Sequence, residues 1–318
     1  MSSLPRSRPG DSDVVIGLSA VVAGLRGGEA SVLTVASPGG VGLPFGRFDP
    51  EGHRTFELAL RAFVTEQTGF RLGYVEQLYT FGDKGRDAPV ADLHGSEGDT
   101  ARIVSVGYLA LTPPAPEAED AGWRPWSRFF PWEDWRGGRP AILDERIAPA
   151  LGCWAEGGES RWARARLLFA LDRAAWNEER VLERYELLYE AGLAPEAARD
   201  RGGAAPPGGL GEAMISDHRR ILATALGRLR SKVRYRPVVF ELMPEEFTLL
   251  ALQRAVEAVT GVALHKPNFR RAVERTGLVE GLGRLDPGAG GRPAELFRFR
   301  RELLGARPVG GLSLPREG

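Results

Sequence analysis

An α+β chain in two modules, ending in a helix pair and a basic hairpin, is the fold class that three observations predict. The segment Tyr235–Leu304 holds two short helical patterns separated by a tight turn and followed by a glycine-rich hairpin carrying arginines. Residues 14–112 alternate strand-like runs with one amphipathic helix, whereas 113–215 read as mostly helical. Charge divides along a similar line. Residues 216–318 hold 19 basic and 11 acidic side chains, a net of +8, and the remainder holds 23 and 31, a net of −8. A helix pair followed by a hairpin is the order of a winged helix-turn-helix. A basic module on an acidic body suits contact with phosphate backbones through one end only.

Each element of the C-terminal module has a local cause. Thr248 is a good N-cap, Leu249, Leu252, Val256 and Val259 recur at helical spacing, and Gly261 ends the run. The second helix opens with Pro267 in its first turn, and Phe269, Ala272, Val273 and Thr276 form its inner stripe. Asn268, Arg271 and Arg275 share another face, with Lys266 and Arg270 beside it. Arginine and asparagine make bidentate contacts to guanine and adenine edges in the major groove. Taken alone, such a helix would read as an ordinary solvated amphipathic one. The hairpin shifts the balance: Phe297 and Phe299 alternate with Arg298 and Arg300, and DPGAGG supplies the turn. Arg292 and Pro293 end that turn as a rigid basic tip suited to a minor groove. The DNA-binding candidates are therefore Lys266, Asn268, Arg270, Arg271, Arg275, Arg292 and Pro293, with double-stranded operator DNA as the expected partner. One reading helix covers about half of a typical operator, so a homodimer is expected.

The rest of the chain bounds the remaining classes. At 318 residues, 43% hydrophobic and 26% charged, it has room for two cores and an ordinary globular composition. Cys153 is alone, which excludes an internal disulfide framework. His53, His94, His218 and His265 have no metal-ligand spacing, and no metal is expected. No run of 18 apolar residues occurs and MSSLPRSRPGDSD has no signal-peptide core, so no membrane partner and a cytoplasmic location are expected. GGVG at 39–42 lacks the lysine of a phosphate-binding loop and reads as a turn. The predicted parts are a flexible tail over 1–13, a sensing domain over 14–215 whose segment 113–215 is a helical extension, and the DNA-binding domain over 216–318. Within them, VVIGLSAVVAGL and ASVLTVAS form a hairpin, a helix runs from about 51 to 67, and RIVSVGYLAL is a long buried strand. The loop RDRGGAAPPGGLG reads as a flexible segment, followed by a helix with Ile221, Leu222, Ala225 and Leu229 on its inner face.

The helix near residue 60 ends in TEQTGF, which resembles the end of a Nudix box, G-x5-E-x7-R-E-U-x-E-E-x-G-U with U apolar. Anchored on Gly69, the pattern places its Arg-Glu pair on Ala62 and Phe63 and its Glu-Glu pair on Glu66 and Gln67. Val64, Glu66, Gly69 and Phe70 match, four of the nine defined positions. Nudix enzymes cut nucleoside diphosphates with divalent metals gathered on several carboxylates, and Glu66 alone cannot hold such a cluster. The fold is expected without the reaction, and no catalytic residue is assigned.

EQLYTFGDKGRD followed by RIVSVGYLAL resembles the strand-rich part of Nudix-related transcriptional regulators. SDHRRILATALGRLRSKVRYRP, PNFRRAVERTGLVE and GRPAELFRF resemble their winged-helix domain. The chain is thus similar to bacterial repressors of NAD metabolism of the NrtR type, and FFPWEDWRGGRP looks more like the larger NadQ subgroup. The resemblance implies a Nudix-like α/β/α sandwich with a helical extension and a C-terminal winged helix-turn-helix. It also implies homodimers whose operator binding responds to an adenine nucleotide effector: NAD, ATP or ADP-ribose. No cofactor is implied. Arg47, Arg54, Arg86 and Arg102 are candidates to clamp its phosphates, and Asp83 to bind ribose. The aromatic cluster Trp123, Trp126, Phe129, Phe130, Trp132 and Trp135 suits either adenine stacking or core packing. The alternative function is a divergent Nudix pyrophosphatase acting on ADP-ribose or NADH.

Overall fold

The computed structural model describes residues 14–37, 39–83, 102–114, 122–203, 210–286 and 293–305. The tail 1–13, Arg86, His94 and Arg292 lie outside the described residues. Strand β1 (Val14–Arg26) turns back through Gly27 and Gly28 into β2 (Glu29–Leu33), forming the expected hairpin. Both glycines have left-handed backbone, φ 56° and 81°, which a two-residue hairpin turn of this hand requires. A small hairpin of β3 (Val35–Ser37) and β4 (Gly40–Gly42) precedes β5 (Phe45–Arg47), which pairs with β1. Helix α1 (Phe56–Thr68) follows, then β6 (Tyr74–Phe81), β7 (Arg102–Leu111) and β8 (Trp123–Pro125). The sheet order is β6-β7-β1-β2-β8, with β1 and β7 parallel and the other pairs antiparallel.

The two faces of β1 alternate with the period of a strand. Leu18, Ala20 and Val22 pack with Ala59, Leu60 and Val64 of α1, while Val21 and Ala23 join the large core on the other side. Helix α1 starts at Phe56, five residues after the expected position. Thr55 takes the cap: its backbone is extended and its hydroxyl accepts from the Leu58 N–H at 3.2 Å. Residues just before it form a turn in which the His53 N–H donates to the Asp49 carbonyl at 2.8 Å.

The extension contributes a π-helical turn (Leu143–Ile147) leading into α2 (Ala148–Trp154), then α3 (Glu159–Phe169), α4 (Val181–Glu190) and α5 (Pro195–Arg201). Of the aromatic cluster, Trp126, Phe129, Phe130 and Trp132 are buried in the main core, so these four pack the interior and offer no open stacking face.

Helix α6 (His218–Tyr235) buries Ile221, Leu222, Ala225 and Leu229 as the sequence predicts. It packs on α4 and on β1, β6 and β7, covering the second face of the sheet. This completes an α/β/α sandwich with α1 on the far side. Much of its positive charge meets acids that precede residue 216: Arg219 pairs with Glu196 at 3.2 Å, Arg220 with Glu186 at 2.6 Å, Arg230 with Glu133 and Arg234 with Glu178. Part of the opposite charge of the two halves is therefore internal complementarity, not charge left for phosphates.

His218 opens α6 inside the protein. Its Nδ1 accepts from the Leu43 N–H at 3.0 Å, its Nε2 lies 3.5 Å from the Ser19 hydroxyl, and the Phe45 ring meets it edge-on. Burial, with a smaller contribution from Arg199, pushes its pKa down to about 3. The unfolded chain takes up this proton below about pH 6.5 and the folded chain does not, so stability falls as pH drops through that window by about 1.4 kcal/mol per unit. Between pH 7 and 5 the urea-unfolding free energy should fall by roughly 2 kcal/mol more in the wild type than in His218→Gln. Equal slopes in the two proteins would assign the acid sensitivity to other groups.

The C-terminal module comprises a 3₁₀ turn (Val238–Leu242), β9 (Glu246–Thr248), α7 (Leu249–Thr260), α8 (Lys266–Thr276), β10 (Val279–Asp286) and β11 (Ala294–Phe299). Its small sheet runs β10-β11-β9, and Phe299 stacks on Phe240 with ring centroids 4.1 Å apart. No helix among the described residues is long and apolar enough to cross a membrane.

Candidate functional site

Helices α7 and α8 form the helix-turn-helix, and their caps are those the sequence predicts. The Thr248 hydroxyl accepts from the Ala251 N–H at 3.1 Å, and Gly261 closes α7 with φ 74°. The turn is held from inside. The Leu264 N–H donates to Glu257 and the Leu264 carbonyl accepts from Gln253 Nε2, both at 2.9 Å. These bonds satisfy backbone groups that the turn would otherwise leave open, and they set the angle at which α8 leaves α7. Phe269, Ala272 and Val273 bury the inner face of α8.

The outer face carries the sequence candidates. Lys266, Arg270, Arg271 and Arg275 are exposed and Asn268 is half-buried. Arg271 Nη2 donates to Asn268 Oδ1 at 2.8 Å and its Nε to the Pro267 carbonyl at 3.3 Å, so the guanidinium is oriented before any ligand arrives. Glu274, exposed on the same helix, was not singled out by the sequence reading. A carboxylate there would accept from a cytosine amino group.

The wing has a different electrostatic character. Arg298 pairs with Glu280 at 2.5 Å, Arg300 with Glu302 at 3.2 Å, Arg301 with Glu241 at 3.0 Å, and Arg284 with Glu246. Hydrogen bonding to Glu280 raises the Arg298 pKa further. Pro293 is exposed just before β11.

Two of the candidate effector residues, Arg47 and Arg102, lie at one end of the large sheet. Arg47 stands opposite Gly17 and Arg102 opposite Val14, so β5 and β7 carry them to the same end of β1. Arg54, exposed, follows in the turn before α1. Arg102 donates to the Gly82 carbonyl at 2.6 Å, next to Asp83, and Asp83 forms an ion pair with Arg220 of α6. The helix that carries the partial Nudix pattern is tied to β5 beside them. Gln67 donates to the Phe45 carbonyl at 2.6 Å and accepts from the Phe45 N–H at 3.1 Å. Phe63 lies over Gly46, where an added Cβ would come within 2.7 Å of its ring. Glu66 is exposed, and no group of three metal-holding side chains occurs among the described residues.

A sheet sandwiched between α1 and α6, with a helix-turn-helix and a wing at its C-terminal end, defines a two-module protein: a Nudix-like domain carrying a winged helix. Residues 239–299 match the family of the NrtR DNA-binding winged helix domain. The chain is 42% identical over 83 residues to an ADPR responsive transcriptional repressor, NtrR, of Acinetobacter baylyi. That match covers 26% of this chain and only 33% of the relative's length. In fold the likeness extends over nearly the whole chain. The Shewanella oneidensis NrtR structure in complex with a 27mer DNA matches with a TM-score of 0.54 at 20% identity, covering 95% of this chain and 99% of the other. A MutT/nudix family protein from Enterococcus faecalis matches with a TM-score of 0.52 at 16% identity, covering 94% and 90%.

Proposed function

We propose that this protein is a cytoplasmic, homodimeric transcriptional repressor of genes for NAD biosynthesis or salvage. It reads operator DNA through α8 and the wing and senses an adenine nucleotide in its Nudix-like domain, residues 14–215 with α6 packed on its sheet, with ADP-ribose the leading candidate. The observation that carries the reading is the outer face of α8. It is a cationic helix face with a pre-oriented Arg271–Asn268 pair, in a module whose residues 239–299 match the NrtR DNA-binding winged helix domain. Lys266, Asn268, Arg270, Arg271, Arg275, Arg292 and Pro293 are assigned to DNA, and Arg47, Arg54, Asp83, Arg86 and Arg102 to the effector. The domain binds without hydrolysing. In its register three of the four carboxylate positions of a Nudix box are taken by Arg54, by Phe63, packed on β5, and by Gln67, bonded in both directions to Phe45, which leaves Glu66 alone. A carboxylate at 67 would leave the Phe45 carbonyl without its donor.

The test is binding of the full-length protein to duplexes from NAD-biosynthesis promoters, titrated with ADP-ribose, NAD and ATP. ADP-ribose should change operator affinity by about 5–150-fold, a coupling of roughly 1–3 kcal/mol. With Mg²⁺ or Mn²⁺, ADP-ribose and NADH should stay intact. Turnover at ordinary enzyme rates that disappears in Glu66→Gln would favour the pyrophosphatase reading instead. Failure of all three nucleotides to bind at millimolar concentration would end the sensor reading.

A further inference from the structure

The C-terminal end of α7 is held by the sensor body. Arg230 of α6, 1% exposed, donates from Nε to the Val259 carbonyl at 3.0 Å, in the last turn of α7. The same guanidinium donates to the Glu178 carbonyl at 2.9 Å, the Glu133 carbonyl at 3.2 Å and the Glu133 carboxylate. Glu133, also 1% exposed, receives a second fork from Arg184 of α4 at 2.5 and 2.9 Å. Two residues on, the Trp135 N–H donates to the Gly261 carbonyl at 2.6 Å. A Cβ at Gly261 would lie 2.2 Å from the Glu133 carbonyl, so the cap of α7 nests directly on this segment.

A stack buttresses the joint from outside. Arg139 lies over Trp135, Trp135 over Trp176 with centroids 4.5 Å apart, and Arg184 over Trp176 at 3.8 Å. A recess of about 350 Å³ opens beside it, lined by Trp135, Arg139, Asp144, Asp172 and Trp176 among others. With the two indoles stacked on each other and their other faces taken by arginines, the recess offers no stacking platform, and the aromatic ladder serves the joint.

We propose that Arg230 is a positioning residue for operator recognition. Through Glu133 and the Val259 carbonyl it fixes the angle at which the sensor body carries α7, and with it α8. The inference rests on the proposed function, since it concerns how an effector-responsive DNA reader transmits its state. The same helix reaches the other end of the sheet. Arg220, ten residues earlier and so about 15 Å along α6, pairs with the effector candidate Asp83. A displacement of α6 at that end is delivered to the head by a planar guanidinium whose donors have fixed directions. Arg184, Arg230, Glu133 and Val259 are all buried, so the contact at the centre of the joint has discrete arrangements and does not yield gradually.

Arg230→Lys keeps the charge and loses the fork. In the full-length protein, ADP-ribose should change wild-type operator affinity by at least about 5-fold. In Arg230→Lys that ratio should fall to within about 2-fold of unity, with affinity for a single half-site duplex within about 2-fold of wild type. Arg219→Lys is the matched control. Arg219 is equally buried in the same helix, but its bonds go to Glu196, Phe129 and Leu210, away from the head. It should keep the wild-type ratio at a comparable loss of thermal stability. The inference is overturned if Arg230→Lys responds to ADP-ribose as wild type does, or if Arg219→Lys loses the response equally. Should Arg230→Lys fail to fold, Glu133→Gln carries the same two outcomes at the other half of the contact. A wild type that binds no operator, or ignores ADP-ribose, instead refutes the proposed function and the inference with it.

Discussion

Glu133→Ala is expected to lower the unfolding free energy by about 3–5 kcal/mol, against a total of roughly 5–15 for a typical domain. The carboxylate accepts hydrogen bonds from both Arg184 and Arg230, and both guanidiniums are essentially inaccessible to water. Burial already pulls the Arg230 pKa down, with Glu133 opposing that shift and Arg184 adding to it. Removing Glu133 leaves two neighbouring cations desolvated, and the low-dielectric interior makes both the lost attraction and the remaining repulsion large. The contrast is Glu190→Ala, which breaks the 2.6 Å pair with Arg164 where both side chains are about half exposed. Such a pair contributes about 0–1 kcal/mol. Urea unfolding of the two variants, followed by circular dichroism, separates the cases. A Glu133→Ala loss no larger than that of Glu190→Ala would mean that water reaches the two arginines.

Glu133, Arg184 and Arg230 also mark where sequence reading stopped. They come from three separate elements with no spacing that links them, and a charged residue on a helix reads by default as solvated. Arg219 and Arg230 count with the basic segment 216–318 for this reason, although both are buried against acids that precede it. What was legible was local. Thr248 and Gly261 cap α7 where their side-chain chemistry says they should, Phe269, Ala272 and Val273 turn inward at helical spacing, and Gly27-Gly28 permits one tight hairpin. The start of α1 was missed because Pro50 and Glu51 look like a first helical turn, while the decisive signal is the Thr55 hydroxyl bonded to Leu58. The wing was legible as alternating phenylalanines and arginines, but the glutamate that pairs Arg298 lies 18 residues away in sequence and the one that pairs the neighbouring Arg301 lies 60 away. Charge and helical period thus indicate a DNA-facing surface, whereas which of its cations are already paired depends on tertiary contacts.

That distinction decides the mutational signature expected on DNA. Arg271→Ala should lower affinity for the cognate operator by about 1–3 kcal/mol and relax preference at one position of each half-site, with much less effect on non-cognate DNA. Arg271 lies on the exposed face of α8, and its bonds to Asn268 and Pro267 restrict its rotamers before binding. Less side-chain entropy then remains to be lost on contact with a base edge. Asn268→Ala should consequently remove part of the Arg271 contribution as well as its own, and the double variant should cost less than the two single losses added together. Arg270, one residue away and exposed, with no acidic partner among the described residues, is placed for phosphate. Arg270→Ala should weaken binding across sequences and flatten the salt dependence by about one unit of slope. Both variants should remain folded, because neither side chain belongs to the buried stripe of Phe269, Ala272 and Val273. Competition titrations with point-substituted operators at several salt concentrations measure both effects. Wild-type preference in Arg271→Ala together with an unchanged salt slope in Arg270→Ala would place the DNA on another face of the module.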